Sequence, residues 1–277
     1  MPIYVGINNS QKQVSDIYVG INTEKKNVSD AYISKDGVLY PVFITHGSQI
    51  ITESGIFTVP KGVYKIDVFM VGAGGGGGYT EGAPKCACGG GGGYTKTIKK
   101  ISVKPGDEFP VVIGNGINGG NGESTSFGDY TVNGGYKGTT TKGGDGGSGG
   151  GGWGSDGGSD GSNGKNVHNY SGDIFGIGQG SSTRAFGESD GTLYSGGGGS
   201  SRITSSDELE LGSGGEGGGG CSGGSHYTPD ESYEYESRLP ENGYDNTGGG
   251  GGGGVRLATS IVFQSTKGGS GIVIVRW

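Results

Sequence analysis

The sequence predicts a mainly β protein: short N-terminal β-hairpin repeats, then a β-sandwich-like frame with packed polyglycine-II helices and long loops. Almost no α-helix is expected. Three observations carry this. Ile3–Asp16 recurs with four changes as Ile17–Asp30. Glycine supplies 71 of 277 residues and comes in blocks, such as Gly74–Gly78, Gly89–Gly93 and Gly248–Gly254, that punctuate strand-like sequence. Apolar residues alternate in runs such as Lys65–Val71 and Ile272–Trp277, and nowhere recur at i, i+3, i+4 over three turns.

Each N-terminal unit has a short alternating run (Ile-Tyr-Val-Gly-Ile), a polar turn, then Val-Ser-Asp, and a degenerate third copy spans Ala31–Phe43. That is a strand–turn–strand unit too small to bury a face alone, so stacking on neighbours or on a larger assembly would complete it. Residues 1–43 read as a tandem docking module, with Tyr4, Ile7, Tyr18, Ile21 and Tyr32 as its candidate contact residues. Residues 44–277 read as a second domain.

In that domain Ile50-Ile51, Ile56–Val59 and Lys65–Val71 are predicted strands, with a turn at Pro60-Lys61-Gly62. Tyr94–Val103, Phe109–Ile113, Ser124–Phe127 and Tyr130–Val132 follow, and strand-like sequence returns at Val255–Phe263 and Gly271–Trp277. The final run is expected to close a sheet opened by Lys65–Val71. Between these strands glycine dominates. In Gly143–Gly164 it occupies positions 143, 146, 149, 152, 158, 161 and 164, with Ser155 the exception. A period of three fits an extended left-handed helix rising about 3.1 Å per residue. Without Cβ atoms such helices pack side by side through backbone hydrogen bonds and Cα–H···O contacts.

Composition excludes several functions. The net charge of −7 lacks the basic footprint of a nucleic-acid binder. Only 29% of residues are hydrophobic, and no stretch would span a membrane. Met1–Gly6 has neither the basic nor the apolar region of a signal peptide, so synthesis in the cytoplasm is expected. Cys86, Cys88 and Cys221 are odd in number, and Cys86-Ala-Cys88 matches no common zinc spacing; free thiols are expected and no metal or cofactor is called for. Gly72-Ala-Gly-Gly-Gly-Gly77 matches G-x-G-x-x-G, but Gly78–Pro84 cannot begin the helix a dinucleotide site needs. His46, His168 and His226 sit far apart without a local catalytic signature. Asp230, Glu231, Glu234 and Glu236 are close together but fall in an expected loop, so no enzyme activity is expected.

Three stretches resemble tail-fibre and baseplate proteins of phages and prophages of Gram-positive, especially clostridial, hosts. Tyr4–Asn8 and Tyr18–Asn22 are similar to the YVGIN repeats at the start of such proteins. Ile56–Val63, followed by Asp67–Gly72 and a glycine run, looks like the entry to viral glycine-rich domains, and Gly268–Trp277 like their closing strand. The central region is more loosely similar to glycine-helix sandwich adhesins at the tips of long tail fibres. The resemblance implies attachment of a virion, or a tail-like particle, to a bacterial surface receptor, either carbohydrate or surface-layer protein. The N-terminal repeats would dock to tail or baseplate proteins, as a homo-oligomer or in multiple copies per particle. A structural baseplate protein without receptor contacts is the main alternative, and a cell-wall glycosidase a distant one.

For contact residues the long insert Ser225–Asn246 stands out, with Tyr227, Tyr233, Tyr235 and Tyr244 among carboxylates. Tyrosine offers a large rigid face at low entropic cost and a hydroxyl that hydrogen-bonds. Lys165–Tyr170 and Arg184–Tyr194 are smaller candidates, adding Tyr170 and Tyr194, and Trp153 interrupts a glycine run where its ring would project.

Overall fold

The computed structural model describes residues 4–7, 10–13, 18–21, 24–27, 32–35, 38–41, 46–81, 85–165, 175–204, 208–225, 237–256 and 264–277. The repeats form three antiparallel hairpins: β1 (Tyr4–Ile7) with β2 (Ser10–Gln13), β3 (Tyr18–Ile21) with β4 (Glu24–Asn27), and β5 (Tyr32–Lys35) with β6 (Val38–Pro41). The frame contributes β7 (Ser48–Ile51), β8 (Gly55–Thr58), β9 (Lys65–Val71), β10 (Tyr79–Glu81), β11 (Lys85–Ala87), β12 (Thr95–Ser102), β13 (Glu108–Val112), β14 (Thr125–Phe127) and β15 (Tyr130–Val132). Later come β16 (Ser201–Ile203), β17 (Leu209–Leu211), β18 (Gly223–Ser225), β19 (Ser237–Arg238), β20 (Gly254–Arg256) and β21 (Ile272–Arg276). The only helical turn among the described residues is a 3-10 turn at Ala185–Gly187.

Two four-stranded sheets, ordered β12-β9-β21-β7 and β15-β14-β13-β8, face each other as a sandwich. As the sequence predicts, β21 closes the sheet that β9 opens, pairing antiparallel from Ile272↔Val71 to Arg276↔Asp67. Alternation assigns the faces. Ile66, Val68 and Met70 of β9 and Val273 and Val275 of β21 point inward, onto Phe57, Val111 and Phe127 of the facing sheet. Phe69, Val71 and Ile272 point outward, and are still buried because Ala185, Phe186 and Tyr194 cover them. The segment after Arg184 is therefore a lid on the sheet.

From Gly72 onward the structure becomes a lattice of extended chains, and its hydrogen bonds count in threes. Gly72, Gly75 and Gly78 donate their amides to the carbonyls of Tyr94, Gly91 and Cys88 at 2.8–3.0 Å. Ala73 and Gly76 donate to Glu123 and Gly120, and Gly74 donates to Gly269. Successive residues thus address three different neighbours and return to the first after three, which is the screw of a three-per-turn extended helix. Antiparallel and parallel neighbours mix: Gly90 and Gly93 pair with Gly251 and Gly248, whereas Gly250 and Gly253 pair with Gly196 and Gly199.

Glycine is required here by the closeness of approach. A Cβ on Gly75 would lie 2.1 Å from the Tyr136 oxygen, and one on Gly198 would lie 2.0 Å from that of Gly251. The Cα hydrogens in those places point at carbonyl oxygens, so the lattice has both kinds of bond. The threefold phase of Gly143–Gly164 does not mark one straight helix. Left-handed turns at Trp153-Gly154 and Asp160-Gly161 fold it back on itself, so that Gly158 donates to Gly149, and Gly149 to Ser162. Ser155 fits in place of glycine because its amide and carbonyl both bond Ser200 and its hydroxyl donates to the Gly152 carbonyl.

Candidate functional site

Chain direction gives the lattice two distinct ends. At one, Gly47 and Trp277 exchange amide–carbonyl bonds, both 3.0 Å, beside the start of β9. The chain then runs through β9, crosses the lattice along Gly72–Gly78 (about 22 Å at 3.1 Å per residue) and reaches β10. There β10 pairs parallel with β20, and β20 parallel with β18, so all three exit at the same end, after Glu81, Arg256 and Ser225. The exit of β16 lies beside the entry of β11, through Lys85↔Ile203. Lys165 also belongs to this end, since its carbonyl accepts the Gly152 amide next to Trp153. The described chain breaks off at this end, the β10–β20 end, after Glu81, Lys165, Thr204, Ser225 and Arg256.

The described side chains at this end are aromatic and charged. The Tyr79 hydroxyl donates to Glu81 Oε1 at 2.6 Å, and Arg256 Nη1 donates to the same oxygen at 3.1 Å. Partial burial, reinforced by the Glu81 carboxylate, raises the Tyr79 phenol above its ordinary pKa. In the separate sheet β11-β16-β17 the Arg202 guanidinium lies 4.5 Å from the Trp153 ring centre and 3.8 Å from Glu210. Beneath the indole, Cys86 and Cys88 are buried with their sulfurs 3.2 Å apart. Such a surface can stack on a planar or sugar face while fixed donors and acceptors orient it.

Residues 51–277 match the model of a family described as glycine-rich domain. The chain belongs to the glycine-rich domain family. The match covers the lattice and the sandwich from Ile51, the last residue of β7, onward, and leaves the three hairpins outside it. No curated protein matches the chain.

The glycine-rich domain brings together only some of the predicted contact residues. Trp153 stands at the β10–β20 end, half-buried, with φ 53°. Tyr170, Tyr227, Tyr233 and Tyr235 lie outside the described residues, as do His168, His226, Asp230, Glu231, Glu234 and Glu236. Tyr194 needs correcting: it is 9% exposed, with its ring 5.5 Å from Phe69, so burial of the sheet's outer face takes the ring that was expected to make contacts.

Tyr244 also needs correcting. It is 61% exposed, but Ser225–Asn246 is not one loop. From Ser237 the chain forms β19 and then re-enters the lattice, where Glu241 donates to Cys221 and Tyr244 to Gly218. A Cβ on Gly243 would touch the Gly249 oxygen, five residues before Gly254. That places Tyr244 roughly 15 Å from the β10–β20 end. Tyr4 and Ile7 bound β1, Tyr18 and Ile21 bound β3, and Tyr32 opens β5.

Sequence reasoning missed Tyr79, Glu81, Arg202 and Arg256. Only the alternation of Gly78–Glu81 hinted at one of them, because parallel pairing across the lattice joins segments with no local signature. Among the described residues no group of three or more His, Cys, Asp or Glu could hold a metal, and no helix is long and apolar enough to cross a membrane. His46 sits at the opposite end with Lys65, Asp67 and Arg276. The run Gly72–Gly77 leads into strand β10, and the Gly72–Gly76 amides are bonded to carbonyls of neighbouring chains.

Proposed function

We propose that the chain is a receptor-binding protein of tail-fibre type, attaching a phage, prophage or tail-like particle to the bacterial surface. The observation that supports this most is polarity. The residues that follow the repeats enter the frame at the Gly47–Trp277 end, while the described chain breaks off at the other after Lys165 and Ser225, and the sequence that follows these two carries Tyr170, Tyr227, Tyr233 and Tyr235. A particle-bound N-terminus and an outward tip are what such a protein needs. The lattice between them is a rigid spacer, so fewer degrees of freedom are lost when the tip binds. Multiple copies on one particle would turn weak contacts into avidity.

The full-length protein is expected to bind susceptible cells and to block adsorption of the particle. Replacing Tyr227, Tyr233 and Tyr235 together by serine should abolish both without changing the unfolding transition. Binding no better than a control protein would overturn this reading in favour of a structural baseplate role. Deleting residues 1–43 should prevent incorporation into particles, and normal incorporation would remove the docking assignment.

A further inference from the structure

The Cys86–Cys88 pair has no part in the proposed attachment, yet it is built as a site. Cys86 lies in β11 and Cys88 two residues on, where the chain enters the lattice, so both side chains leave the same face. Two residues of strand rise about 6.6 Å, inside the range of Cα separations that a disulfide spans. The sulfurs are already 3.2 Å apart, and Cys88 is fully buried. The Trp153 amide donates to Cys86 Sγ at 3.2 Å. That amide is aimed at the sulfur because the left-handed Trp153-Gly154 turn passes directly over β11. The third cysteine, Cys221, stands apart and its amide bonds Glu241.

We propose that Cys86 and Cys88 are an oxidisable dithiol, closed by peroxide to an intramolecular disulfide at the β10–β20 end. The environment divides the roles. A hydrogen bond from Cys88, the Trp153 and Gly154 amides and the nearby Arg202 charge lower the Cys86 pKa against the effect of burial. The same hydrogen bond, together with burial, holds Cys88 as a thiol.

Cys86 thiolate attacks one oxygen of hydrogen peroxide. The O–O bond breaks, the departing hydroxide takes a proton to become water, and Cys86 is left as a sulfenic acid. Cys88 then loses its proton and attacks the Cys86 sulfur. The S–O bond breaks, a second water leaves, and the S–S bond forms. Two thiols are oxidised and one peroxide is reduced. In a reducing cytosol the pair stays open, and in an oxidising exterior it closes. That environmental change rests on the attachment reading, but the chemistry does not, and its test involves no cells.

The test uses the full chain carrying Cys221→Ser, treated while folded with hydrogen peroxide, with thiol titration and intact mass as readouts. Both thiols should disappear together, the mass should fall by two hydrogens, and a dithiol reductant should restore both. Adding Cys88→Ser should stop the reaction at a Cys86 sulfenic acid that dimedone traps. Conversion of Cys86 to sulfinic acid while Cys88 remains titratable would overturn the proposal. So would loss of thiols only after denaturation. The Cys221→Ser protein alone decides the matter, so the outcome does not depend on the Cys88 variant folding.

Discussion

Gly90 donates its amide to the carbonyl of Gly251 at 2.9 Å, joining two glycine runs that are far apart in the chain. Its own carbonyl accepts from Gly198 at 2.8 Å, and a Cβ at this position would lie 2.1 Å from the Gly75 oxygen. Four runs thus meet around one residue that has no side chain. A conventional core excludes water by interdigitating side chains; here the backbones themselves pack, and buried amides pair with carbonyls or, as at Gly77 and Gly161, with a hydroxyl.

Gly90→Ala should therefore be among the most damaging changes available. The methyl group has nowhere to go but into backbone, and overpacking of this kind costs about 1–3 kcal/mol or more. Gly55 in β8 is the control: a Cβ there meets nothing within 4 Å. Gly55→Ala should be neutral or stabilise by about 0.4–1 kcal/mol through the unfolded chain. Denaturant unfolding of the two variants checks both expectations.

Phe69 bridges the sheet and its lid, with ring centres 5.9 Å from Phe186 and 5.5 Å from Tyr194. Phe69→Ala should cost about 3–5 kcal/mol and speed amide exchange at Ala185 and Tyr194, which donate to the carbonyls of Thr192 and Thr183 within the lid. Cell binding per folded molecule should be unchanged. A selective loss of binding would return Tyr194 to the contact surface.

Stability should fall at both ends of the pH range, for different residues. Asp160 has its pKa lowered below 3.8 by the Ser182 hydroxyl, the Thr183 amide and Arg184. A depressed carboxylate contributes stability above its unfolded pKa and loses it as pH falls through the folded value. Asp160→Asn should flatten the acid limb slightly, because the group is largely exposed. Burial raises the Tyr194 pKa above 10.0. Its contribution is complete below the unfolded value and is lost as pH rises from there, so Tyr194→Phe should flatten the alkaline limb. Melting temperature against pH for both variants tests the two signs.

At the β10–β20 end the Glu81–Arg256 ion pair is largely exposed on the Glu81 side. Glu81→Gln should change unfolding by less than about 1 kcal/mol, as surface pairs do, leaving surface chemistry there separable from the fold. Unfolding measurements at low and high salt would show any larger contribution.

Much of this architecture was legible in the sequence. Alternation located β9, β12, β13 and β21, and the end-to-end pairing of β9 with β21 followed from their apolar faces. The period of three was legible too, in Gly143–Gly164. The neighbours were not. Glycine runs carry no side-chain pattern to set a register, so nothing in Gly89–Gly93 marks it for Gly248–Gly251. The same gap explains the misplaced tyrosines. Tyr244 follows Asn-Gly in a polar stretch that reads as loop, yet its backbone amide is a lattice rung, and Tyr194 ends an insert whose Phe186 was the clue to burial. Trp153 interrupts its glycine run, but its ring packs on Cys86 and Cys88 with Arg202 over it rather than projecting.

Hydrogen–deuterium exchange of the native protein, resolved over residues 88–94, 196–199 and 248–254, bears most directly on the lattice. Apart from Gly249, whose amide donates to the Thr247 hydroxyl, these amides should exchange only with global unfolding, as slowly as those of β9, because each bonds a carbonyl on another chain segment. Exchange there as fast as in a flexible glycine linker, with β9 still protected, would show that the runs do not hold one another and would remove the rigid spacer on which the attachment reading depends.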